Sequence, residues 1–278
     1  MSPSPSLGSK TFAGNRAVGR IALTVSAEAG TSRRSRVHEA GSLRVRFPRS
    51  DRHDTLDAVI VNTAGGMAGG DRFDIDMSVG AGARLSVTTA AAEKIYRSLG
   101  ADTEIGVKLA VSRGGALTWL PQETILFDQL RLRRTIDVAL ERGASLLLAE
   151  AIVFGRSAMG ESVVLGRLFD RWRVHIDGAL AFAETVRIEG MIAQCLAQPA
   201  SASGGVAVAT IMKIPGGDKD IAAVRAMTDN LAGAAGVSAW NGLAVARLVA
   251  ADGAILRRDL MTVLTALDAA PLPRLWLN

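Results

Sequence analysis

Hydrophobic and polar residues alternate over several stretches of the chain. Phe73, Ile75, Met77 and Val79 alternate with Asp74, Asp76 and Ser78. Ile105, Val107, Leu109 and Val111 repeat the pattern, as do Ile136, Val138 and Leu140. An apolar residue at every second position predicts strands with one buried face. Each strand runs into a glycine turn, at Gly80-Ala81-Gly82, Gly114-Gly115 and Gly143, and a leucine then opens the next strand. Val79 to Leu85, Val111 to Leu117 and Leu140 to Leu146 all span six residues, and the unit recurs after 32 and then 29 residues. Glycine admits the positive φ that such bends require. A later variant places Asp177-Gly178, a hairpin signal, between Trp172-x-Val174-x-Ile176 and Leu180-x-Phe182. The pattern predicts a mainly β chain with a stacked β-hairpin or β-helix-like sheet architecture. An ordinary β-sandwich is the competing arrangement.

The period changes toward the C-terminus. Pro199 to Gly205 reads as a loop and Val206 to Ile214 as a strand. Ile221, Val224, Met227 and Leu231 lie at helical spacing, which predicts a helix over Asp218 to Ala235, capped by Asp218 or Asp220 and ended by Gly236. Gly242 to Ala250 returns to strand. Ile255 to Leu267 is a second α-helix, stopped by Pro271. Residues 1–11, rich in Ser and Pro and without an apolar stretch, read as a disordered tail rather than a secretory signal. Residues 12–278 are expected to form a single β-rich domain, with helical, partner-facing elements over about 206–278.

Composition narrows the function. The chain has 278 residues, of which 49% are hydrophobic and 21% charged, ordinary values for a folded protein. No run is apolar enough to span a membrane, and a cytoplasmic location fits best. One cysteine, Cys195, excludes an intrachain disulfide and a Cys-paired zinc site. Three dispersed histidines, His38, His53 and His175, argue against a permanent metal centre. The net charge is +5, and Arg33, Arg34, Arg36, Arg44, Arg46, Arg49 and Arg52 fall within twenty residues. They read either as a patch for nucleic acid or an acidic partner, or as a solvated, partly disordered arm. No aromatic residues interleave them as a base-stacking surface requires, so nucleic acid is not expected as a partner.

Four segments can carry chemistry. NTAGGMAGGD at 62–71 follows an apolar run, but it lacks the Lys-Ser/Thr pair of a phosphate loop and the helix of a dinucleotide fingerprint. It reads as a tight double turn, with Asp71 held at its corner. In VTTAAAEKIYRS, Glu93 and Lys94 are either proton-transfer groups or a surface pair beside a strand end. In WLPQETILFDQ, Pro121 ends a strand, and Glu123 and Asp128 bracket an apolar triplet. Glu150 follows Leu146-Leu147-Leu148 in the comparable place of the next unit, and FGRSAMGE adds Arg156 and Glu161. Each carboxylate is either a solvated loop charge or, because it recurs after a buried strand, an interior group that needs a partner. No Ser-His-Asp, Cys-His or His-Glu-x-x-His arrangement is present.

These segments resemble the UreD (UreH) urease accessory protein family. NTAGGMAGGD at 62–71, TTAAAEKIYRS at 88–98, LPQETILFD at 120–128, FGRSAMGE at 154–161 and PRLW at 273–276 stand in the family's order. The matching positions include Asn62, Gly65, Gly66, Gly70, Thr88, Thr89, Lys94, Tyr96, Pro121, Gln122, Gly155, Arg156 and Gly160. Ala90 stands where the family usually has Gln, and the arginines at 44–52 are atypical. The resemblance implies a mostly β protein with two helices that is not an enzyme. It implies complexes with UreF and the GTPase UreG, docking on apo-urease, and delivery of nickel to a buried dinuclear site, with an internal tunnel as one route. No permanently bound cofactor is implied, only nickel in transit. On that reading Asp71, Glu123, Asp128, Glu150 and Glu161 are the candidate polar lining, since cargo that must be released calls for oxygen ligands rather than imidazole or thiolate. Ala223 and Ala226, on an Ala-rich helical face, are candidates for partner contact. The alternatives are a carbohydrate-active enzyme on a β-solenoid, disfavoured by only 12 aromatic residues, and a basic nucleic-acid-binding module, supported by the charge alone.

Overall fold

The structure is a computed structural model that describes residues 16–50, 52–156, 159–268 and 270–277. The tail expected over residues 1–11 lies outside the described residues. The strands are β1 (Val18–Glu28), β2 (Thr31–Gly41), β3 (Leu43–Arg46), β4 (Thr55–Asn62), β5 (Arg72–Val79), β6 (Arg84–Thr89) and β7 (Glu93–Ile95). They continue as β8 (Thr103–Val111), β9 (Ala116–Trp119), β10 (Thr124–Leu126), β11 (Leu130–Leu140), β12 (Ser145–Phe154), β13 (Leu165–Ile176) and β14 (Ala179–Met191). Helix α1 (Ile192–Ala197) precedes β15 (Ala207–Ile214), α2 (Asp218–Arg225), β16 (Ala234–Trp240), β17 (Leu243–Ala250) and α3 (Gly253–Leu267).

The chain coils as a β-solenoid. One sheet runs β14-β13-β11-β8-β5-β1-β2 and the other β16-β17-β15-β12-β9-β6-β4-β3. The six-residue spacing is the corner of each rung. Val79, Val111, Leu140 and Ile176 stand side by side in the first sheet. Leu56, Leu85, Leu117 and Leu146 do so in the second. Equal corners keep successive rungs in register, so every inward position stacks on an inward position. The glycine turns therefore pass the chain from one sheet to the other and do not fold a strand back on its neighbour. Asp177-Gly178 is a true hairpin, joining the antiparallel β13 and β14.

Two apolar layers hold the rungs. Phe73, Met77, Leu85, Leu109, Leu117, Ile136 and Leu148 fill the space between the sheets. The outer face of the second sheet packs Leu147, Ala151 and Ile211 against Leu256, Leu260, Val263 and Leu264 of α3. Strand β12 lies between both layers, which is why it reads as an almost unbroken apolar run.

Three expectations are corrected. The helix predicted over Asp218–Ala235 ends at Arg225, and the chain is already in β16 at Ala234, so Gly236 lies within a strand. Asp259 accepts hydrogen bonds from the Ala232 and Gly233 amides at 3.2 and 2.7 Å, which pins that backbone for pairing with β17. Residue Gly217 is the N-cap of α2, and Asp220 reaches back to accept from its amide at 2.9 Å. The arginine-rich stretch is not a disordered arm, because Arg33, Arg34 and Arg36 lie on β2 and Arg44 and Arg46 on β3, both paired strands. Helix α1 has no counterpart in the sequence reading.

Candidate functional site

Successive rungs of the second sheet are broken at the same place. β6 and β7 are separated by Ala90–Ala92, and β9 and β10 by residues 120–123, while β12 runs unbroken beside the second gap. The breaks stack. The amide of Gln122 donates to Thr89 Oγ1 at 2.9 Å, and that of Glu93 to the Glu123 carbonyl at 2.9 Å. Thr88 is buried beside them. The motif segments are thus one continuous edge of the solenoid.

A chain of contacts runs along that edge. Asn62 Nδ2 donates to both oxygens of Glu93 at 3.0 and 3.1 Å. Burial pushes the Glu93 carboxyl above its ordinary value, and Asn62 pulls it back. Lys94 is exposed, and its carbonyl accepts from the Met67 amide at 2.7 Å. The Tyr96 hydroxyl donates to the Gly65 carbonyl at 3.0 Å. Gly66 has φ of 139°, and a Cβ there would come 2.5 Å from Tyr96 Cε2. Tyr96 meets the Phe127 ring edge-on at 4.9 Å. The Arg156 guanidinium covers that ring at 4.2 Å and pairs with Glu161 at 2.5 Å. Gly155, with φ of 89°, lets the Glu161 carbonyl approach to 2.3 Å of where a Cβ would sit. Gly160 shares this turn, and Gly70 donates its amide to the Asp102 carbonyl at 2.9 Å.

The C-terminal PRLW segment is tied to the same edge by Arg257, which the sequence reading missed. Its Nη1 donates to Gln122 Oε1 at 2.6 Å and to Glu123 Oε1 at 2.9 Å. Its Nη2 donates to the Leu275 and Trp276 carbonyls at 3.3 and 3.1 Å. Gln122 Nε2 donates to the Leu275 carbonyl at 3.1 Å, and Trp276 Nε1 to the Leu120 carbonyl at 3.0 Å.

The five carboxylates singled out from sequence do not line one passage. Asp71 is buried and accepts from the Ala68 and Ala17 amides at 2.7 and 2.8 Å, so it fastens the double turn. Asp128 accepts from the Val164 and Leu165 amides at 2.7 and 2.9 Å, bonds that outweigh burial and hold its carboxyl below the ordinary value. Glu123 belongs to Arg257, and Glu161 to Arg156. Glu150 stands apart. It lies midway along β12, not at a strand end, and points between the sheets.

There Glu150 meets a second buried charge cluster. Arg134 Nη1 donates to Glu150 Oε2, and Nε and Nη2 grip Asp170 at 3.1 and 2.5 Å. Trp119 Nε1 donates to Glu150 at 2.9 Å and Trp172 Nε1 to Asp170 at 3.2 Å. The three charged side chains are 3%, 6% and 8% exposed. Burial disfavours the Arg134 cation, but Asp170 and Glu150 outweigh it and raise its pKa. Burial likewise lifts the Glu150 carboxyl, and Arg134 and Trp119 oppose it. Arg134 and Asp170 were legible. In β11 the inward positions are Leu132, Arg134, Ile136 and Val138, and in β13 they are Leu168, Asp170, Trp172 and Val174. A charge at a core position of an alternating strand is the signal, and the two residues are register neighbours.

This triad forms part of the wall of a cavity of about 440 Å³ between the sheets, which extends past Thr210 and Cys195 to the ion pair of Glu184 and Arg247 at 2.9 Å. Arg247 is half exposed and marks the mouth. The earlier rungs are filled by buried apolar side chains such as Met77, Leu85, Leu109 and Leu117. Both Glu150 and Asp170 are held by Arg134, and neither is a free acid or base for glycoside chemistry. Among the described residues, no three His, Cys, Asp or Glu side chains gather to hold a metal, and no helix is long and apolar enough to cross a membrane.

Comparison with known proteins places this architecture. The model of the family described as UreD urease accessory protein matches residues 17–277. The chain is 55% identical over 270 residues to "Urease accessory protein UreD" of Rhodopseudomonas palustris (strain HaA2), covering 97% of this chain and 96% of that one. It is 52% identical over 273 residues to the protein of that name from Bradyrhizobium diazoefficiens, covering 98% of each. The chain therefore belongs to the UreD urease accessory protein family, whose members are non-catalytic factors in urease maturation.

Proposed function

We propose that the chain acts in the cytoplasm as the scaffold of a complex with UreF and the GTPase UreG, docks on apo-urease, and gives nickel a route toward the urease site. Nickel is cargo here, not a resident cofactor. The observation that carries the nickel reading is the cavity at the end of the solenoid, with the buried Arg134–Glu150–Asp170 cluster in its wall. The cluster taken alone carries one net negative charge and its acceptor atoms are oxygens, which can meet a divalent cation without the grip of imidazole or thiolate. Of the carboxylates expected along a passage, Glu150 retains that role, and Asp71, Glu123, Asp128 and Glu161 act by holding the surrounding fold.

The partner surface proposed is the face of α2 that bears Ala223 and continues to Ala226 just beyond its end. Ala226 is exposed and Ala223 half-buried, so a glutamate at either position meets a docking partner and not the core.

The experiment is complementation of a urease operon that lacks its UreD member, scored by urease activity and nickel content. The natural chain should restore both. Thr210, which lines the cavity beside Glu150, is the residue to change. T210W should fill the cavity and lower urease nickel content while the complex with UreF still forms. Full nickel loading by T210W overturns the passage, and failure of the natural chain to complement overturns the maturation role.

A further inference from the structure

We propose that the free edge of β2 is a docking site for an extended acidic segment of a partner protein, which pairs with it as one more strand. The site lies at the end of the solenoid away from the cavity, where β2 closes one sheet and β3 the other. It requires neither the cavity nor nickel. Residues 33–38 of β2 are exposed one after another. Their backbone pairs with β1 on one side, and among the described residues no further backbone partner takes the groups on the other side. The matching edge of β3 is blunted, because Glu39 crosses this end and accepts from the Val45 amide at 2.5 Å. An open edge is a template for a further strand.

Charge decides what that strand must carry. Arg33, Arg34 and Arg36 stand on β2, and Arg44 and Arg46 on β3. Facing them are two carboxylates, Glu28 at 4.0 Å from Arg33 and Glu39 at 3.1 Å from Arg46. The register shifts at this point, so that Arg34 lies opposite Val25 and Arg36 opposite Thr24, with Ser35 as the extra residue of a bulge. Val25 is a core residue, which puts Arg34 on the side of the sheet that faces β3 and leaves Arg33 and Arg36 on the outer side. There Arg34 covers the Phe47 ring at 4.9 Å, in a hollow shared with Val37, Glu39, Val45 and Arg46. An incoming strand with carboxylates on both faces thus meets a guanidinium on each. A second copy of β2 does not fit, because arginine would face arginine across the pairing. The charges that keep copies apart are the ones that select an acidic partner. Nucleic acid is the poorer match, since Phe47 packs on the core under Arg34 and offers no open face for a base.

The test measures binding of labelled peptides of about twelve residues to the full-length chain by fluorescence anisotropy. A peptide of alternating Glu and Thr should bind, more weakly as salt is raised, and one of alternating Lys and Thr should not. R33E/R36E should bind the acidic peptide at least ~10-fold more weakly. R225E/R258E makes the same change of charge at two exposed arginines on α2 and α3, and should stay within ~2-fold of the natural chain. R33Q/R36Q replaces the reversal if that variant does not fold, with a loss of at least ~3-fold. Methylating alternate backbone nitrogens of the acidic peptide keeps its charge and removes its strand donors, which should weaken binding at least ~5-fold. No binding, equal losses in the edge and helix variants, or undiminished binding of the methylated peptide overturns the proposal. Tighter binding of a DNA duplex carrying as many charges also overturns it, in favour of a nucleic-acid surface.

Discussion

Arg257 donates from Nη1 to the side-chain oxygen of Gln122 at 2.6 Å, although 135 positions separate them. The same guanidinium holds Glu123 and the carbonyls of Leu275 and Trp276. R257A should lower stability by about 2–4 kcal/mol, because it strands Glu123 and several polar groups that are only partly wet. Urea unfolding measures the loss, and limited proteolysis should show faster cleavage near residues 270–277. R257K should recover less than half, since an ammonium cannot reach all four acceptors. Unchanged stability in R257A would show that the segment docks without the clamp.

Gly66 and Tyr96 form a second fixed pair. G66A should cost about 2 kcal/mol or more, since it meets both the positive φ and the Tyr96 ring. In a Y96S background the steric part should vanish and the backbone part remain. Equal costs of G66A in both backgrounds would place the whole effect in the backbone.

Glu93 makes a prediction in pH. Its folded-state carboxyl lies above the ordinary value because burial outweighs the Asn62 amide. The folded chain therefore binds this proton more tightly than the unfolded chain. Its contribution is most favourable below the ordinary glutamate value of ~4.3 and declines as pH rises through the raised one. The stability of the natural chain relative to E93Q should fall across that window and then level off. A difference that grows with pH would refute the assignment.

Asp128 carries the opposite sign. The Val164 and Leu165 amides hold its carboxyl below the ordinary value. Its contribution is full above the ordinary aspartate value of ~3.9 and is lost as pH falls through the depressed one. Relative to D128N, the natural chain should gain stability as pH rises through that acidic range. Hydrogen exchange should show the two amides less protected in D128N at neutral pH.

Much of this arrangement was legible because a solenoid writes its geometry locally. Val79, Val111 and Leu140 announce the stacking through equal offsets to the next leucine, and Asp177-Gly178 announces its hairpin. The strand Ala234–Trp240 was hidden by helical spacing that runs through Val224 and Leu231. What overrides it is Asp259, distant in sequence, together with pairing to β17. Asn241-Gly242, both at positive φ, was the local cue to that hairpin. At the site, charge alone was a poor guide. Asp71 and Asp128 are structural acceptors, whereas Arg134 and Asp170 stood in plain view at core positions of alternating strands.

The constant corner has a consequence for how such a chain can change length. One added residue in a strand turns every following side chain to the wrong face, which disrupts the layer beneath it. A whole rung of about thirty residues, inserted between corners, keeps every inward position inward and adds ~4.8 Å of height. The molecule is in effect a ruler with one graduation, able to lengthen or shorten only in that step, and the spacing between its arginine-rich edge and its cavity is set by how many steps it contains.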